Sequence, residues 1–213
     1  MTVGARRREF DRRLDAIDLK VIELFAIVCE DLSGATEALL SSSNQVAHLA
    51  ERDRAVDALS QEIEELATRE ILLQAPVASD LRFLITVLRI APELERSHDL
   101  EYQIASASGD LRATELSARC LGLSARMAEL ACDMWRQAAD YWYGREESTA
   151  SVLAEVSDEM HELQADLVAE LAAGQMRSPV TMDMALVARF YTRLGDHAVN
   201  IARRINYLAG SPR

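Results

Sequence analysis

Two acidic pairs at i, i+4 spacing, Asp53 with Asp57 and Glu95 with Asp99, are the residues of this chain best placed to do chemistry. On an α-helix that spacing puts both carboxylates on one face. Two such pairs on facing helices converge four hard oxygen donors on one point, a set suited to iron, manganese or magnesium. Extending the three-four rhythm of Leu49 and Val56 puts Asp53 on a buried seam, and the run Leu81, Leu84, Leu88, Ala91 continues onto Glu95 and His98. A carboxylate on a seam must find a cation, a hydrogen-bond donor or a metal. Arg54 and Arg96 stand beside these acids as ion-pair partners, and a slot open to solvent between helices is the other alternative to a metal. His98 either adds an imidazole ligand or is a satisfied core histidine.

The elements that must carry these residues are written twice. Glu95-Arg96-Ser97-His98-Asp99 is echoed by Thr192-Arg193-Leu194-Gly195-Asp196, and an Ile-Ala pair follows each Asp by five residues, at Ile104-Ala105 and Ile201-Ala202. Apolar residues at Leu14, Ile17, Val21, Leu24, Val28, Leu32, Ala35 and Leu39 mark one long helix of about 30 residues, or about 45 Å. A second helix follows Ser41-Ser42-Ser43-Asn44 and runs to about 74. Ala75-Pro76-Val77 stops it, and a third runs to about 107. After Ser108-Gly109-Asp110 the pattern repeats, with helices expected over about 114–143 and 148–173 and a last one after Pro179 carrying Val187, Phe190, Leu194, Ala198, Ile201, Ile205 and Leu208. The expected fold is all-α, six long antiparallel helices as two tandem three-helix bundles, over 1–108 and 109–213. Pro92 should kink the third helix or begin a new segment.

Composition removes several classes of function. With 35 acidic against 23 basic residues the net charge is −12, a field that repels nucleic acid and anionic lipid. The basic cluster Arg6-Arg7-Arg8 with Arg12-Arg13 is interleaved by Glu9, Asp11 and Asp15, which favours a solvated helix start over a binding tail. Cys29, Cys120 and Cys132 show no C-x-x-C spacing and read as reduced core thiols of a cytoplasmic protein. No apolar run reaches 18 residues, and no apolar segment follows the Arg-rich start, so neither membrane insertion nor conventional export is expected. No nucleophile constellation, phosphate loop or dinucleotide fingerprint is present, and no enzyme is expected. Trp135, Tyr141, Trp142 and Tyr143 crowd the end of the fourth helix, as a cap over the bundle end or as a surface for a partner or a second copy.

At these residues the chain resembles the PhoU family of bacterial phosphate-transport regulatory proteins. The resemblance rests on Asp53-x-x-x-Asp57 and Glu95-x-x-x-Asp99, on the run from Leu73 to Arg82 reading LQAPVASDLR, and on Tyr191 to Ala202 reading YTRLGDHAVNIA, and it spans about 10–208. It implies two similar three-helix units, metal clusters on the acidic motifs, and a cytoplasmic regulator that binds the phosphate ABC transporter and its sensor histidine kinase and damps both, with a homodimer as one assembly. The chain departs from that pattern. Thr192 stands where the family carries Glu, Ser157 and His161 fall where it carries a second Asp pair, and His98 replaces a Gly. Asp196 remains in the second unit, with Asp158, His161 and Glu162 near it in sequence. Two rivals share the same residues: a metal-free helical adaptor with changed partners, and a ferritin-like di-metal carboxylate protein built on Glu95-x-x-His98 and Asp158-x-x-His161.

Overall fold

The computed structural model describes residues 3–41, 46–108, 116–144, 150–174 and 177–209. They form six α-helices and no strand: α1 (Val3–Ser41), α2 (Val46–Gln74), α3 (Ala78–Ser108), α4 (Ala118–Gly144), α5 (Ala150–Ala173) and α6 (Ser178–Ala209). The expected breaks at 42–44 and 109–110 lie outside the described residues, and Gly144, where the fourth helix is expected to break, is the last residue of α4. Most of the seams are buried as their periodicity requires. Ile17, Val21, Leu24, Val28, Leu32, Ala35 and Leu39 of α1 all face the core, as do Val187, Leu194, Ala198, Ile201 and Ile205 of α6.

Three helix starts and the passage of α3 through Pro92 differ from the sequence expectation. Helix α1 starts at Val3 and runs for 39 residues, because its basic cluster is paired with acids of this chain. Arg7 meets Asp11 at 2.8 Å and Asp80 of α3 at 2.7 Å, and Arg13 meets the buried Glu70 of α2 at 3.2 Å. Helix α4 starts at Ala118, where Ser117 Oγ accepts the Cys120 N–H at 3.0 Å as an N-cap. Helix α6 takes Pro179 into its first turn, where a missing N–H costs nothing. Helix α3 passes through Pro92 without dividing, so no new segment begins there. At the turn around Pro76, Ala75 and Ala78 have φ of 44° and 50°, a left-handed backbone that L residues rarely adopt, and Leu73 projects outward, 62% exposed, in place of the seam position expected of it.

Helices α1, α2 and α3 pack on one another, and so do α4, α5 and α6. The α3–α6 and α1–α4 contacts join the two triplets around one continuous core. Large side chains make that junction. Trp135 and Trp142 of α4 are fully buried, with Phe25 of α1 at 6.5 and 6.2 Å between ring centroids and Phe83 of α3 at 6.0 Å from Trp142. Trp135 Nε1 donates to the Leu194 carbonyl at 3.1 Å, and the Thr36 and Tyr191 hydroxyls lie 3.1 Å apart across α1 and α6. The tryptophans therefore serve the core, and of the four aromatics at the end of α4 only Tyr143 is exposed.

Candidate metal centre

The packing of α2 on α3 fixes how the first-half acids meet. Asp53 and Asp57 lie one turn apart on α2, Glu95 and Asp99 one turn apart on α3, and the pairs face each other closely enough to interact electrostatically. Glu95 and Asp99 are half-buried. Burial pushes the Glu95 carboxyl above its usual range, with Asp99, Asp57 and Asp53 adding to the rise and Arg96 opposing it. Burial likewise raises Asp99, reinforced by Asp53 and Asp57 and opposed by His98. Among the described residues the arginines expected to neutralise this group make no ion pair within 4 Å with it. Arg96 pairs with Glu93 at 3.4 Å, Arg54 is exposed, and among the described residues no ion pair within 4 Å reaches Asp57, Glu95 or Asp99. Asp53, Asp57, Glu95 and Asp99 are oxygen donors of the kind a hard divalent ion takes, but no three of them bring ligand atoms within 4.8 Å of one another as they stand.

His98 does not sit among these four as a free ligand. Its Nε2 lies 3.0 Å from Asp31 Oδ2 of α1, and its Nδ1 lies 3.7 Å from Asp53 Oδ1. Asp31 is also paired through Oδ1 with Arg52 at 3.1 Å. One turn beyond His98 lies Glu101, wholly buried, neither of whose carboxylate oxygens has a hydrogen-bond partner. Burial holds its carboxyl well above the ordinary range, and Asp31 pushes the same way. Among the described residues, Asp31, His98 and Glu101 are the one set of His, Cys, Asp or Glu side chains whose ligand atoms all lie within 4.8 Å of one another. Sequence reasoning missed Asp31 and Glu101. The signal was present in the rhythm Val28, Asp31, Ala35 and in Leu94, His98, Glu101, Ala105, which puts both acids on core-facing positions.

The second half is built differently at the equivalent place. Asp196 is half-exposed, with Ser157 Oγ at 3.4 Å and His161 Nε2 at 3.9 Å. Thr192 is buried, its Oγ1 3.1 Å from Gln164 Oε1 and 3.0 Å from the Ala188 carbonyl. Asp158 and Glu162 are exposed. His161, Gln164, Thr192 and Asp196 border a polar cleft of about 510 Å³ between α3, α5 and α6, into which Arg96, Arg189 and Arg193 bring positive charge. Behind the lining residues Glu93 and His197, the buried Ser97 donates to the Glu93 carbonyl at 2.7 Å and lies 2.9 Å from His197 Nδ1, while Glu93 also draws Arg204 to 3.9 Å. Burial pulls the His197 imidazole below its usual value, opposed by Glu93 and assisted by Arg193 and Arg96. The two Glu/Asp-x-x-His motifs thus serve different neighbours: His98 turns to Asp31 and Asp53, His161 to Asp196. The thiols carry no site. All three are unpaired, and burial pushes Cys29 up to about 12 and raises Cys132.

Known proteins resemble this chain along nearly its whole length. The family model described as "PhoU domain" matches twice, over residues 21–107 and 125–205. A "Phosphate-specific transport system accessory protein PhoU homolog" of Zymomonas mobilis is 30% identical, covering 97% of this chain and 89% of its own. The Thermotoga maritima "PhoU homolog 1" is 26% identical over 93% of this chain and 88% of its own. Among solved structures, the phosphate transport system regulatory protein PhoU of Streptococcus pneumoniae superposes with a TM-score of 0.84 at 25% identity, covering 93% of this chain and 96% of that one. PhoU of Pseudomonas aeruginosa gives 0.87 at 22% identity, a likeness of fold.

Proposed function

As this chain belongs to the PhoU family, we propose that it is a cytoplasmic accessory protein of phosphate uptake, acting by binding the ATPase of the phosphate ABC transporter and the phosphate sensor histidine kinase, and damping both when phosphate is ample. The observation that carries this reading is the double family match together with relatives named as transport-system accessory proteins over nearly the same length. The architecture is consistent with it: six long helices offer a large docking surface, and no described helix is long and apolar enough to cross a membrane. No reaction is assigned to the chain, and residues 1–108 and 109–213 are read as two copies of one unit. A homodimer is the assembly we assign to it.

Asp53, Asp57, Glu95 and Asp99 would hold the metal in this reading, with Nδ1 of His98 beside Asp53, and Asp196 would be at most a lone donor in the second half. Iron, manganese or magnesium bound there supplies positive charge that ties α2 to α3. This chain's own side chains do the rest: the i, i+4 spacing fixes the donor positions, and Asp53, Glu95 and Asp99 are half-buried while Asp57 is exposed to solvent. The test is co-purification of tagged protein with the transporter ATPase and the kinase from cells grown with and without phosphate. Phosphate-dependent capture of both supports the proposal. Capture of neither supports the metal-free adaptor, a reading favoured by Thr192 and Ser157 standing where the second half lacks acids.

A further inference from the structure

We propose that Asp31, His98 and Glu101 form a second, buried site for one divalent transition-metal ion, distinct from the four-carboxylate group on α2 and α3. Each residue is at most 2% exposed, and their ligand atoms already lie within 4.8 Å of one another. Ligands bonded to a single ion at about 2.0–2.2 Å stand roughly 3–4 Å apart, so shifts of an ångström or less complete the set. Asp31 Oδ2 and His98 Nε2, at 3.0 Å, are at that spacing now.

The independent sign of a missing partner is Glu101. A carboxylate at zero exposure with both oxygens unpartnered is rare, because each such oxygen forfeits hydration for nothing. His98 adds a second sign, since its Nδ1 is also buried and without a hydrogen bond while facing Asp53 at 3.7 Å. With Nε2 on a metal the imidazole must carry its proton on Nδ1, and that N–H then donates to Asp53. A carboxylate orienting a metal-bound histidine through its other nitrogen is a recurrent arrangement. A divalent ion would balance the charge of the two buried carboxylates, Asp31 and Glu101; Arg52, 3.1 Å from Asp31, is shared with the exposed Glu30 at 3.0 Å. One imidazole with two carboxylates suits iron(II), manganese(II) or zinc(II), and disfavours magnesium, which keeps its water.

The test separates this site from the surface group by emptying the latter. Full-length Glu95→Gln/Asp99→Asn protein, stripped with chelator, is loaded with zinc(II) or manganese(II), dialysed and analysed for metal. One ion per chain is expected, with affinity lowered at least about tenfold when Glu101→Gln is added. No ion in the double variant, or an ion held equally well without Glu101, overturns the proposal. Should the Glu101 variant fail to fold, X-ray absorption of the zinc-loaded double variant decides: imidazole scattering is expected, and an all-oxygen shell overturns the assignment. The surface group is judged separately, by whether wild type holds more metal than the double variant.

Discussion

The two halves share helices, seams and an Arg-x-x-Asp core, yet they differ in what they present. Around Glu95 and Asp99 the first half gathers carboxylates, and burial together with the neighbouring acids raises the pKa of these two; among the described residues no arginine is paired within 4 Å to Asp57, Glu95 or Asp99. Around Thr192 and Asp196 the second half has hydroxyls, histidines and arginines lining a polar cleft. Helix packing is thus preserved while the donor chemistry is not. The fold is held by apolar periodicity, which tolerates exchanges at half-exposed positions such as Asp53 and Asp99, whereas a metal centre would depend on those very positions.

The largest expected effect concerns what the halves hold in common. Trp135→Ala removes a fully buried ring and its bond to Leu194 and should cost about 3–5 kcal/mol in denaturant unfolding. Tyr143→Ala, on the exposed side of the same helix, should stay within about 0.5 kcal/mol. Equal effects would show that α4 does not join the halves as described.

The next prediction sharpens the contrast itself. Asp53→Asn with Asp57→Asn should weaken metal binding by about tenfold or more, while Asp196→Asn should leave it unchanged, read by calorimetric titration of stripped protein. A loss on Asp196→Asn would break the comparison. Converting Thr192→Glu together with Ser157→Asp beside Asp196 should create a weak second-half site, visible as additional bound metal.

A smaller effect follows from acidity. Because the folded-state pKa values of Glu95 and Asp99 lie above their unfolded values, the folded protein takes up protons more readily there. Their contribution to stability is fully present below the unfolded values of 4.5 and 3.8 and is lost as pH rises through the folded ones. In chelator, Glu95→Gln should therefore raise the melting temperature relative to wild type at neutral pH, and the difference should shrink on acidification below the folded pKa. His197 works in the opposite sense: its lowered folded pKa means stability is lost as pH falls, so only the difference between variant and wild type isolates Glu95. The smallest effect is at the α2–α3 turn, where Ala75→Gly at φ 44° should stabilise by about 0.5–1 kcal/mol.

Much of this was legible in the sequence. The seam from Ile17 to Leu39 and the seam from Val187 to Ile205 gave the helices their buried faces, and the Glu95 and Asp53 pairs were placed on neighbouring helices from spacing alone. Periodicity could not reveal pairings made between helices. It put Arg54 and Arg96 beside the acids, but Arg52 is the residue that reaches Asp31, and Arg96 turns to Glu93. It also could not choose between a capping and a docking role for Trp135 and Trp142, since that depends on Phe25 and Phe83 far away in sequence. Asp31 and Glu101 escaped notice because a single acid in an apolar run looks like the edge of a seam until its neighbours are known.

Metal content per chain, compared between wild type and Glu95→Gln/Asp99→Asn protein purified without chelator, tests the centre of this account most directly. The acidic first half predicts that wild type carries more metal than the variant, the deficit arising at Asp53, Asp57, Glu95 and Asp99. Identical content in the two would contradict it, and would leave the four carboxylates as a solvated face.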